Sequence, residues 1–326
     1  MSEILSVEDL RTNYYCPAGT VRAIDGCSIK LNRGETFGVA GESGCGKSTL
    51  AMSILRLIQP PHRIVGGSIM YKGNDLLKLS DKEIRKIRWG EISLVLQQSM
   101  HALNPMLRIS NQMIEPLMKD GEVTRNEALE RACGLLELVG IEPSRIDNYP
   151  HEFSGGMKQR VLIALSLICD PEIVILDEPT TALDVVVQHM ILGLIDDLKR
   201  RMDLSVMWIT HDLAVLSETC NRMAIMYAGR IMEMGLAEDL ILNPKHPYTM
   251  GLLNSFPTID QMDKELEPIP GVPPDLINPP VGCLFHPRCP FKTEICERVR
   301  PKGEMMEDRS GAYIECHNWR EIDRRV

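Results

Sequence analysis

Residues 41–49 read GESGCGKST and follow the apolar segment 36–40, TFGVA, which is typical of a short buried strand. This is the G-x-x-x-x-G-K-[ST] pattern of a phosphate-binding loop, whose glycines let backbone N–H groups point at phosphate oxygens. The pattern brings Lys47 within reach of the β- and γ-phosphates and the Ser48 hydroxyl within reach of Mg²⁺. The loop residues expected to contact a nucleotide are Gly41, Ser43, Gly44, Cys45, Gly46, Lys47, Ser48 and Thr49.

The residues after the loop predict a helix. Apolar side chains recur at helical spacing, at Leu50, Ile54, Leu57 and Ile58. The phosphate would therefore lie at a helix N-terminus, where unpaired N–H donors and the helix dipole favour an anion. This strand–loop–helix context argues against a chance glycine-rich turn. Cys45 occupies a variable loop position, and we expect a thiol reagent attached there to block ATP.

Composition limits the classes of function open to the chain. With 326 residues, 44% of them hydrophobic, it can form one large domain or two. A net charge of −9 without a long basic run argues against a dedicated nucleic-acid binder. The longest apolar stretch, 161–169, ends at Asp170, short of the roughly 18 residues that span a membrane. Residues 1–4 lack a signal-peptide pattern, so we expect the ten cysteines in a reducing cytoplasm, without a disulfide framework.

Continuous apolar runs predict the strands of a sheet. Besides 36–40, they lie at 92–96, 173–176, 206–209 and 224–227. Such runs are typical of strands covered on both faces, and their alternation with helical patterns predicts an α/β core with a mostly parallel sheet. Residues 4–37 are predicted to form short strands and turns, and residues 106–150 are richer in helical pattern.

Two acids, Asp177 and Glu178, follow the apolar run 173–176. A carboxylate at the carboxyl end of a buried parallel strand is expected beside the phosphate loop. Asp177 would bind Mg²⁺ through water, and Glu178 would orient or deprotonate the attacking water. A strand-end acid that faces solvent is the alternative, and the presence of a phosphate loop argues against it.

A second glycine-containing helix start lies at 153–157, FSGGM. Ser154 is predicted to cap the helix, and Gly155 and Gly156 would expose backbone N–H groups. Because one ATP has a single γ-phosphate and the loop at 41–49 already binds it, this second anion site would serve a nucleotide on another subunit. Taken alone, the segment would be an ordinary Ser-capped helix.

These motifs follow one another in the order of one family. Along the chain come the phosphate loop, Gln97 after a strand, the segment 153–157, the acids that follow 173–176, and His211 after a strand. In this order the chain resembles an ATP-binding-cassette (ABC) ATPase, the nucleotide-binding subunit of an ABC transporter, over residues 4–235. The signature departs from the usual Leu and Gln at its ends and keeps its Ser-Gly-Gly part.

The resemblance assigns roles to matching residues. Tyr14 would stack on adenine, with the neighbouring Tyr15 as the other register and an inward-packed strand aromatic as the alternative. Gln97 would contact Mg²⁺ or the attacking water and sense the membrane partner. Asp184 would belong to the loop that crosses a dimer interface, and His211 would contact the γ-phosphate. The expected catalytic residues are Glu178, His211, Gln97 and Lys47, and the expected Mg²⁺ ligands are Ser48, Gln97 and Asp177.

The resemblance also implies an architecture and a mechanism. The fold would be a P-loop ABC ATPase core over 1–240, with a mostly parallel sheet, an antiparallel β subdomain and a helical subdomain near 100–160. Two subunits would pack head to tail, and ATP would favour the closed pair. From the mate, each ATP would be contacted by Ser154, Gly155, Gly156 and Asp184.

The composition changes beyond residue 240, and we take 241–326 as a Pro-rich linker with a Cys-rich module. Seven prolines from Pro257 to Pro280 predict an extended connector. The segments 243–249 (NPKHPYT) and 282–290 (GCLFHPRCP) are similar to the tail of oligopeptide and dipeptide importer ATPases. This resemblance implies peptide import, with nickel, glutathione or oligosaccharides as alternative solutes.

The same resemblance implies a location and partners. The subunit would lie at the cytoplasmic face of the cell membrane, as a peripheral protein. It would bind two transmembrane permease subunits and a second ATPase, either a copy or a paralogue, and an extracytoplasmic solute-binding protein would deliver the solute.

Four tail cysteines form a candidate metal site. Their spacing, C-x5-C-x6-C-x19-C, is wider than the Cys pairs usual at structural zinc sites. Four thiolates fit a [4Fe–4S] cluster, and some members of the resembled importer family carry one. Zinc, or four reduced thiols without metal, are the alternatives. The residues are Cys283, Cys289, Cys296 and Cys316.

Two other classes of protein fit the sequence less well. Cassette ATPases of DNA repair carry long coiled-coil insertions, and those of translation usually carry two cassettes; neither feature occurs in this sequence. In a regulatory module, the cysteine tail would sense redox state and ATP would only set conformation. If the rate of ATP turnover does not change when a cluster in the tail is oxidised, the regulatory class is disfavoured.

Overall fold

The structure is a computed structural model and describes residues 2–96, 102–119, 123–181, 183–255, 268–307, 309 and 311–322. The strands are β1 (Glu3–Cys16), β2 (Gly19–Asn32), β3 (Thr36–Ala40), β4 (Arg63–Tyr71), β5 (Asn74–Asp75), β6 (Ile92–Val95), β7 (Ile173–Asp177), β8 (Ser205–Ile209), β9 (Arg222–Tyr227), β10 (Arg230–Leu236), β11 (Glu304–Met305) and β12 (Tyr313–Ile314). The helices are α1 (Lys47–Ile54), α2 (Asp81–Ile87), α3 (Ile109–Met118), α4 (Arg125–Leu138), α5 (Gly155–Ser166), α6 (Val185–Met202), α7 (Leu213–Thr219), α8 (Ala237–Leu242), α9 (Pro247–Asn254), α10 (Glu294–Arg298) and α11 (Trp319–Ile322).

The chain divides into two compact units, each made of separate segments. The first unit comprises Met1–Ser2, Asn32–Glu35 and Lys78–Ile209. The second unit comprises Glu3–Leu31, Thr36–Leu77 and Thr210–Val326. The phosphate loop therefore belongs to the second unit, whereas the acids at the end of β7 and the signature segment belong to the first.

Parallel strands lie at the centre of the first unit. β7 pairs with β6 and with β8 in parallel, and Ile173 lies opposite both Ile92 and Ser205. Every residue of β7 and of β8 is buried. This burial explains their continuous apolar runs, because a strand covered on both faces exposes neither set of alternating side chains. The predicted strands at 92–96, 173–176 and 206–209 are confirmed.

Helices of the first unit follow the helical pattern predicted over 106–150. α4 begins with a capping box, in which the Thr124 N–H donates to Glu127 Oε2 at 2.8 Å and the Glu127 N–H donates to Thr124 Oγ1 at 3.4 Å. One face of α4 packs against α3 and α5. Its buried residues are Ala128, Ala132, Leu135 and Leu136.

The second unit contains an antiparallel sheet with strand order β2-β1-β4-β5. β1 and β2 are each 14 residues long, so the prediction of short strands over 4–37 was wrong. Asp9 has a φ of 45°, and the register between β1 and β4 shifts between Glu8 and Arg11. Such a bulge interrupts the alternation of buried and exposed residues, which hides one long strand in the sequence.

The second unit also contains the strand that leads into the phosphate loop. β3 pairs in parallel with β9, as the runs at 36–40 and 224–227 predict, and β9 pairs antiparallel with β10. α1 ends at Ile54, earlier than Leu57 and Ile58 suggest. Arg56 adopts a left-handed φ of 50°, and the Leu57 N–H donates to the Met52 carbonyl at 2.8 Å, which closes the helix.

The C-terminal segment joins the second unit through β-pairing. β12 pairs antiparallel with β10, with Ile314 opposite Glu233, and β11 pairs with β12. Residues 268–281, the described part of the proline connector, form neither helix nor strand, as the prolines predict. None of the helices in the described residues is long and apolar enough to cross a membrane.

Candidate nucleotide-binding site

The two ends of the phosphate loop require glycine. Gly41 has a φ of 152° and Gly46 a φ of 110°. A Cβ on Gly41 would lie 2.1 Å from the Met226 carbonyl oxygen, and a Cβ on Gly46 would lie 2.4 Å from the Ala23 carbonyl oxygen. Backbone atoms cannot move away as a flexible side chain could, so the first and last glycines of G-x-x-x-x-G are fixed by packing.

Lys47 lies buried at the start of α1, with 6% of its surface exposed. Its Nζ donates hydrogen bonds to the carbonyl oxygens of Gly41 at 2.6 Å and Glu42 at 3.0 Å. The N-cap of α1 is Gly46, which has no side chain to bind the first N–H groups of the helix. A cation and helix N–H donors therefore face the same loop, and this arrangement fits the phosphates of a nucleotide.

Tyr14, rather than Tyr15, contacts the phosphate loop. Thr49 Oγ1 donates to Tyr14 Oη at 3.4 Å, and the Tyr14 ring centroid lies 4.7 Å from that of His62. Tyr15 instead accepts from Arg63 Nε at 3.3 Å, and the Arg63 Cζ lies 5.2 Å from its ring centroid. The geometry therefore favours the Tyr14 register and adds His62, which the sequence analysis did not single out.

His211 lies between two residues of the second unit that are anchored by hydrogen bonds. The Thr210 N–H donates to the Val39 carbonyl at 3.2 Å, one residue before β3 ends. Asp212 Oδ1 accepts from the Ala214 N–H at 2.9 Å and so caps α7. His211 is held between these two anchored residues, its side chain exposed, in the unit that contains the phosphate loop.

Cys45 is a buried thiol inside the loop. Only 5% of its surface is exposed, and its Sγ lies 3.9 Å from Lys47 Nζ. Burial raises the pKa of the Cys45 thiol above its usual range, and the nearby Lys47 only partly opposes this shift. Because the thiolate is the reactive form, Cys45 is a poor target for the thiol reagent considered from the sequence.

In the first unit, β7 ends at the two predicted acids. Asp177 is its last residue and is 1% exposed. Glu178 has a left-handed φ of 49°, which is strained for a residue with a side chain and is typical of functional sites. The Glu178 N–H donates to the Ile209 carbonyl at 2.8 Å, and Glu178 Oε2 accepts from Thr181 Oγ1 at 2.9 Å. Thr181 was missed by the sequence analysis, although its position three residues after the acid was visible.

The signature segment starts α5 as predicted. Ser154 is the N-cap, and its Oγ accepts from the Met157 N–H at 3.3 Å. Ser154 and Gly155 are exposed, and Gly156 is half-buried. A Cβ on Gly156 would lie 2.6 Å from Val187 Cγ1, so the second glycine is required by the close approach of α6.

Arg145 contacts the two residues that differ from the usual signature, Phe153 and Met157. Its Cζ lies 4.7 Å from the Phe153 ring centroid, and its Nη1 donates to Met157 Sδ at 3.5 Å. A third contact, from Arg145 Nη2 to the Glu152 carbonyl at 2.8 Å, holds the guanidinium in place. The unusual end residues of the signature, Phe153 and Met157, thus share Arg145 as a partner.

Asp184 caps the helix that supports the signature. Its Oδ1 accepts from the Val187 N–H at 3.0 Å at the start of α6. The side chains that follow are apolar and exposed: Val185 by 80%, Val186 by 70% and Met190 by 49%. Gln97 lies outside the described residues, and its assignment stays a prediction.

Comparison with known proteins identifies the family to which the chain belongs. The family model of ABC transporters matches residues 24–181, and the model of the oligopeptide/dipeptide transporter C-terminal region matches residues 232–296. The dipeptide transport ATP-binding protein DppD of Bacillus subtilis is 46% identical over 94% of this chain and 93% of its own length. The chain belongs to the ABC transporter ATP-binding proteins of the oligopeptide/dipeptide family.

Other similar proteins agree with this family. The oligopeptide transport ATP-binding protein OppD of Escherichia coli is 43% identical over 96% of this chain and 93% of its own length. The dimeric post-hydrolysis structure of the ATP-binding cassette MJ0796 bound to ADP and Pi has a TM-score of 0.65 at 27% identity, covering 72% of this chain and 99% of that one. The structure of cbiO1 from Clostridium perfringens has the same TM-score at 28% identity, covering 74% and 92%.

The predicted fold class is therefore confirmed. This ABC ATPase has the α/β fold of the family, with a mixed main sheet, an antiparallel β subdomain and helices. It is an ATP-binding subunit whose ATPase activity is coupled to transport.

The four tail cysteines of this ABC ATPase line one cavity in the second unit, together with His246 and Phe285. Burial raises the pKa of Cys283 and Cys289 to about 11 and that of Cys316 to about 12. In the described part of the chain, no three side chains of His, Cys, Asp or Glu are arranged as a metal site. The cysteines are thus brought together, without the spacing of a metal-bound set.

Two residues of the C-terminal region contact the phosphate loop and were not among the predicted site residues. Tyr248 and Arg288 both bind Glu42, the second residue of the loop. The sequence did contain a hint of their importance, because Tyr248 lies in 243–249 and Arg288 in 282–290. These are the two segments that carry the resemblance to peptide importers. Nothing in their local sequence indicates which loop residue they contact.

Proposed function

We propose that this ABC ATPase binds and hydrolyses ATP to energise the import of di- or oligopeptides. The observation that carries the proposal is a complete phosphate loop, with Lys47 buried inside it, in a chain whose residues 232–296 match the C-terminal region of oligopeptide/dipeptide transporters. The names of the similar proteins DppD and OppD support peptides as the solute.

Within one subunit, the residues of the second unit would bind the nucleotide. Tyr14 stacks on adenine, the N–H groups of the phosphate loop bind the phosphates, and Lys47 neutralises charge on the β- and γ-oxygens. His211 contacts the γ-phosphate. The loop residues that bind are Gly41, Ser43, Gly44, Cys45, Gly46, Lys47, Ser48 and Thr49. The positive φ of the loop glycines and the buried Lys47 support this set.

The acids at the end of β7 would supply the hydrolytic chemistry. Ser48, Asp177 and Gln97 would hold Mg²⁺, and the ion would neutralise negative charge on the phosphates. Glu178 orients or deprotonates the attacking water. The hydrogen bond from Thr181 Oγ1 to Glu178 Oε2, at 2.9 Å, supports this role because it orients the carboxylate at the end of β7.

A second subunit would complete each site. Ser154, Gly155, Gly156 and Asp184 of one subunit contact the nucleotide held by the other. Two observations support this pairing: Ser154 and Gly155 are exposed at a helix start, and Val185, Val186 and Met190 form an exposed apolar group after Asp184. The dimeric structures of MJ0796 also support it. The mate is either a copy or a paralogue.

The hydrolytic role is tested with Glu178→Gln. The variant should bind MgATP with unchanged affinity, lose turnover, and accumulate as a nucleotide-bound pair in light scattering. Wild-type protein with ADP serves as the control, since ADP lacks the γ-phosphate that reaches the mate. Turnover at the wild-type rate would contradict the role of Glu178, and a strictly monomeric variant, with its cognate mate present, would contradict the shared site.

The transport role would place this subunit at the cytoplasmic face of the membrane, as a peripheral protein that needs partners. Two permease subunits and an extracytoplasmic binding protein would complete the importer. The ATPase reconstituted with them should be stimulated by the binding protein loaded with a dipeptide or an oligopeptide. Stimulation by nickel, glutathione or oligosaccharide instead would identify one of the alternative solutes, and stimulation by none would contradict import.

We also propose that the cysteine cavity holds a [4Fe–4S] cluster. Four cysteines from distant positions line one cavity, and cysteine is the usual ligand of such a cluster. Cys283, Cys289, Cys296 and Cys316 would bind it as thiolates, and the bound cluster would hold the loops of the tail together. Anaerobic purification followed by iron and acid-labile sulfide assays tests this; stoichiometric zinc, or neither metal, would contradict it.

A further inference from the structure

Glu42, inside the phosphate loop, is bound by an arginine from the C-terminal region. Arg288 Nη1 donates to Glu42 Oε2 at 2.6 Å, and Arg288 Nη2 donates to Glu42 Oε1 at 2.8 Å. This is a bidentate pair, the strongest geometry that a guanidinium and a carboxylate can form. It joins residues that are 246 positions apart in the chain.

Contacts outside the phosphate loop hold the Arg288 side chain in place. Its side chain is 5% exposed, and its Nε donates to the Pro270 carbonyl at 2.8 Å. The guanidinium also lies over Tyr227, with Cζ 5.8 Å from the ring centroid and Nη1 3.4 Å from Oη. Because a buried guanidinium needs partners on all sides, its direction toward Glu42 is set by the fold.

Tyr248 binds the same residue through the backbone. The Glu42 N–H donates to Tyr248 Oη at 2.9 Å. Tyr248 is fully buried, and its ring centroid lies 4.6 Å from that of Tyr227 and 5.3 Å from that of Phe285. Burial and aromatic packing therefore hold the Tyr248 phenol in the position where it accepts from the Glu42 N–H.

The remaining polar group of Glu42 binds the lysine of the loop. The Glu42 carbonyl accepts from Lys47 Nζ at 3.0 Å, so carboxylate, N–H and carbonyl of one residue are all occupied. Two of these three contacts come from the C-terminal region. We propose that Arg288 and Tyr248 are positioning residues for nucleotide binding, which hold Glu42 so that the loop and Lys47 keep a phosphate-accepting geometry.

Arg288 also has an electrostatic consequence. Glu42 places a carboxylate in a loop that must accept phosphate anions, and like charges at short range repel. Arg288 cancels that charge. Removing Arg288 alone should therefore weaken nucleotide binding more than removing both charges, because the lone Glu42 carboxylate then opposes the phosphates.

This inference rests on the proposed ATPase function, and it is tested on the full-length chain by calorimetric titration with MgADP. We expect Arg288→Met to raise the Kd about tenfold. Glu42→Gln should raise it no more than about threefold, and the double variant should resemble Glu42→Gln. The effect of Arg288→Met should shrink at high salt, because ions screen the repulsion between charges. Arg300→Met is the matched control, since Arg300 ties the same region to Asp25 on β2, with a 2.8 Å ion pair.

Tyr248→Phe tests the backbone contact. It removes one hydroxyl and keeps the aromatic packing, and we expect the MgADP Kd to rise about threefold to tenfold. A double variant as weak as Arg288→Met would overturn the argument that Arg288 cancels the charge of Glu42. An Arg300→Met variant that binds as weakly as Arg288→Met would overturn positioning in favour of general docking. Wild-type Kd values in all variants would also overturn it. Failure of the wild-type chain to bind MgADP would instead contradict the proposed function.

Discussion

Gly156 packs against Val187, and a Cβ at this glycine would be 2.6 Å from Val187 Cγ1. The signature helix α5 and the helix α6, which starts after Asp184, are therefore held at close range by the lack of a side chain. Two segments proposed to contact the mate's nucleotide are thus mechanically linked within the first unit. This link gives the second glycine of the signature a packing role besides any contact with phosphate.

We expect Gly156→Ala to lower the free energy of unfolding by about 1–3 kcal/mol, the usual effect of overpacking. ATP turnover should fall at least tenfold because α5 must shift. Gly193→Ala is the control, since among the described residues nothing lies within 4 Å of a Cβ there. Val187→Ala should restore part of the lost stability to Gly156→Ala; if it restores none, the proposed clash is not the cause.

Thr181 should affect the rate of hydrolysis rather than the binding of ATP. Its hydroxyl donates to Glu178 Oε2 at 2.9 Å, and such a bond contributes about 1 kcal/mol. We expect Thr181→Val to lower kcat about threefold to tenfold at unchanged KM, and Thr181→Ser to retain the wild-type rate. Steady-state kinetics of all three proteins decide this, and an equal loss in the serine variant would point to the methyl group instead.

Asp184 combines a helix cap with a proposed contact to the mate. Asp184→Ala should lower the free energy of unfolding by about 1 kcal/mol because the Val187 N–H loses its acceptor. Asp184→Asn keeps a capping oxygen and removes the charge. If the Asn variant unfolds like wild type but loses turnover, the charge acts across the dimer interface. Normal turnover in the Asn variant would limit Asp184 to capping.

Cys45 should resist alkylation. Burial raises the pKa of its thiol, so little thiolate is present at neutral pH, whereas Cys16 is exposed. With N-ethylmaleimide at pH 7.5, peptide mass mapping should find Cys16 modified at least about tenfold faster than Cys45. Equal rates would mean that the loop opens readily in solution. The variant Cys45→Ser controls for assignment of the modified peptide.

Much of the fold follows from local sequence. Continuous apolar runs predicted β3, β6, β7, β8 and β9, because a strand buried on both faces needs apolar residues throughout. The cap at Ser154 was also predictable, since capping chemistry acts within one turn. The long strands β1 and β2 were not predicted, because the shift near Asp9 breaks the alternation on which recognition depends.

Some residues of the candidate site could likewise be predicted from the sequence, and others could not. The motif pattern and the strand context predicted the glycines of the phosphate loop and the acids Asp177 and Glu178 as site residues, and their roles stay predictions. Thr181 was missed because a hydroxyl three residues from an acid is common and gains meaning only when Glu178 adopts a φ of 49°. Arg145 was missed because its contacts with Phe153 and Met157 depend on how the chain before α5 folds back.

By itself, the sequence determined the identity of the chemical groups and their local order: a loop that accepts phosphate, acids at a strand end and a capped glycine helix start. These features depend on contacts within a few residues, where backbone geometry leaves few choices. Only the tertiary structure decided that Arg288 and Tyr248 bind Glu42, at separations of 246 and 206 residues. Such partners depend on how distant buried surfaces pack together, which local spacing does not encode.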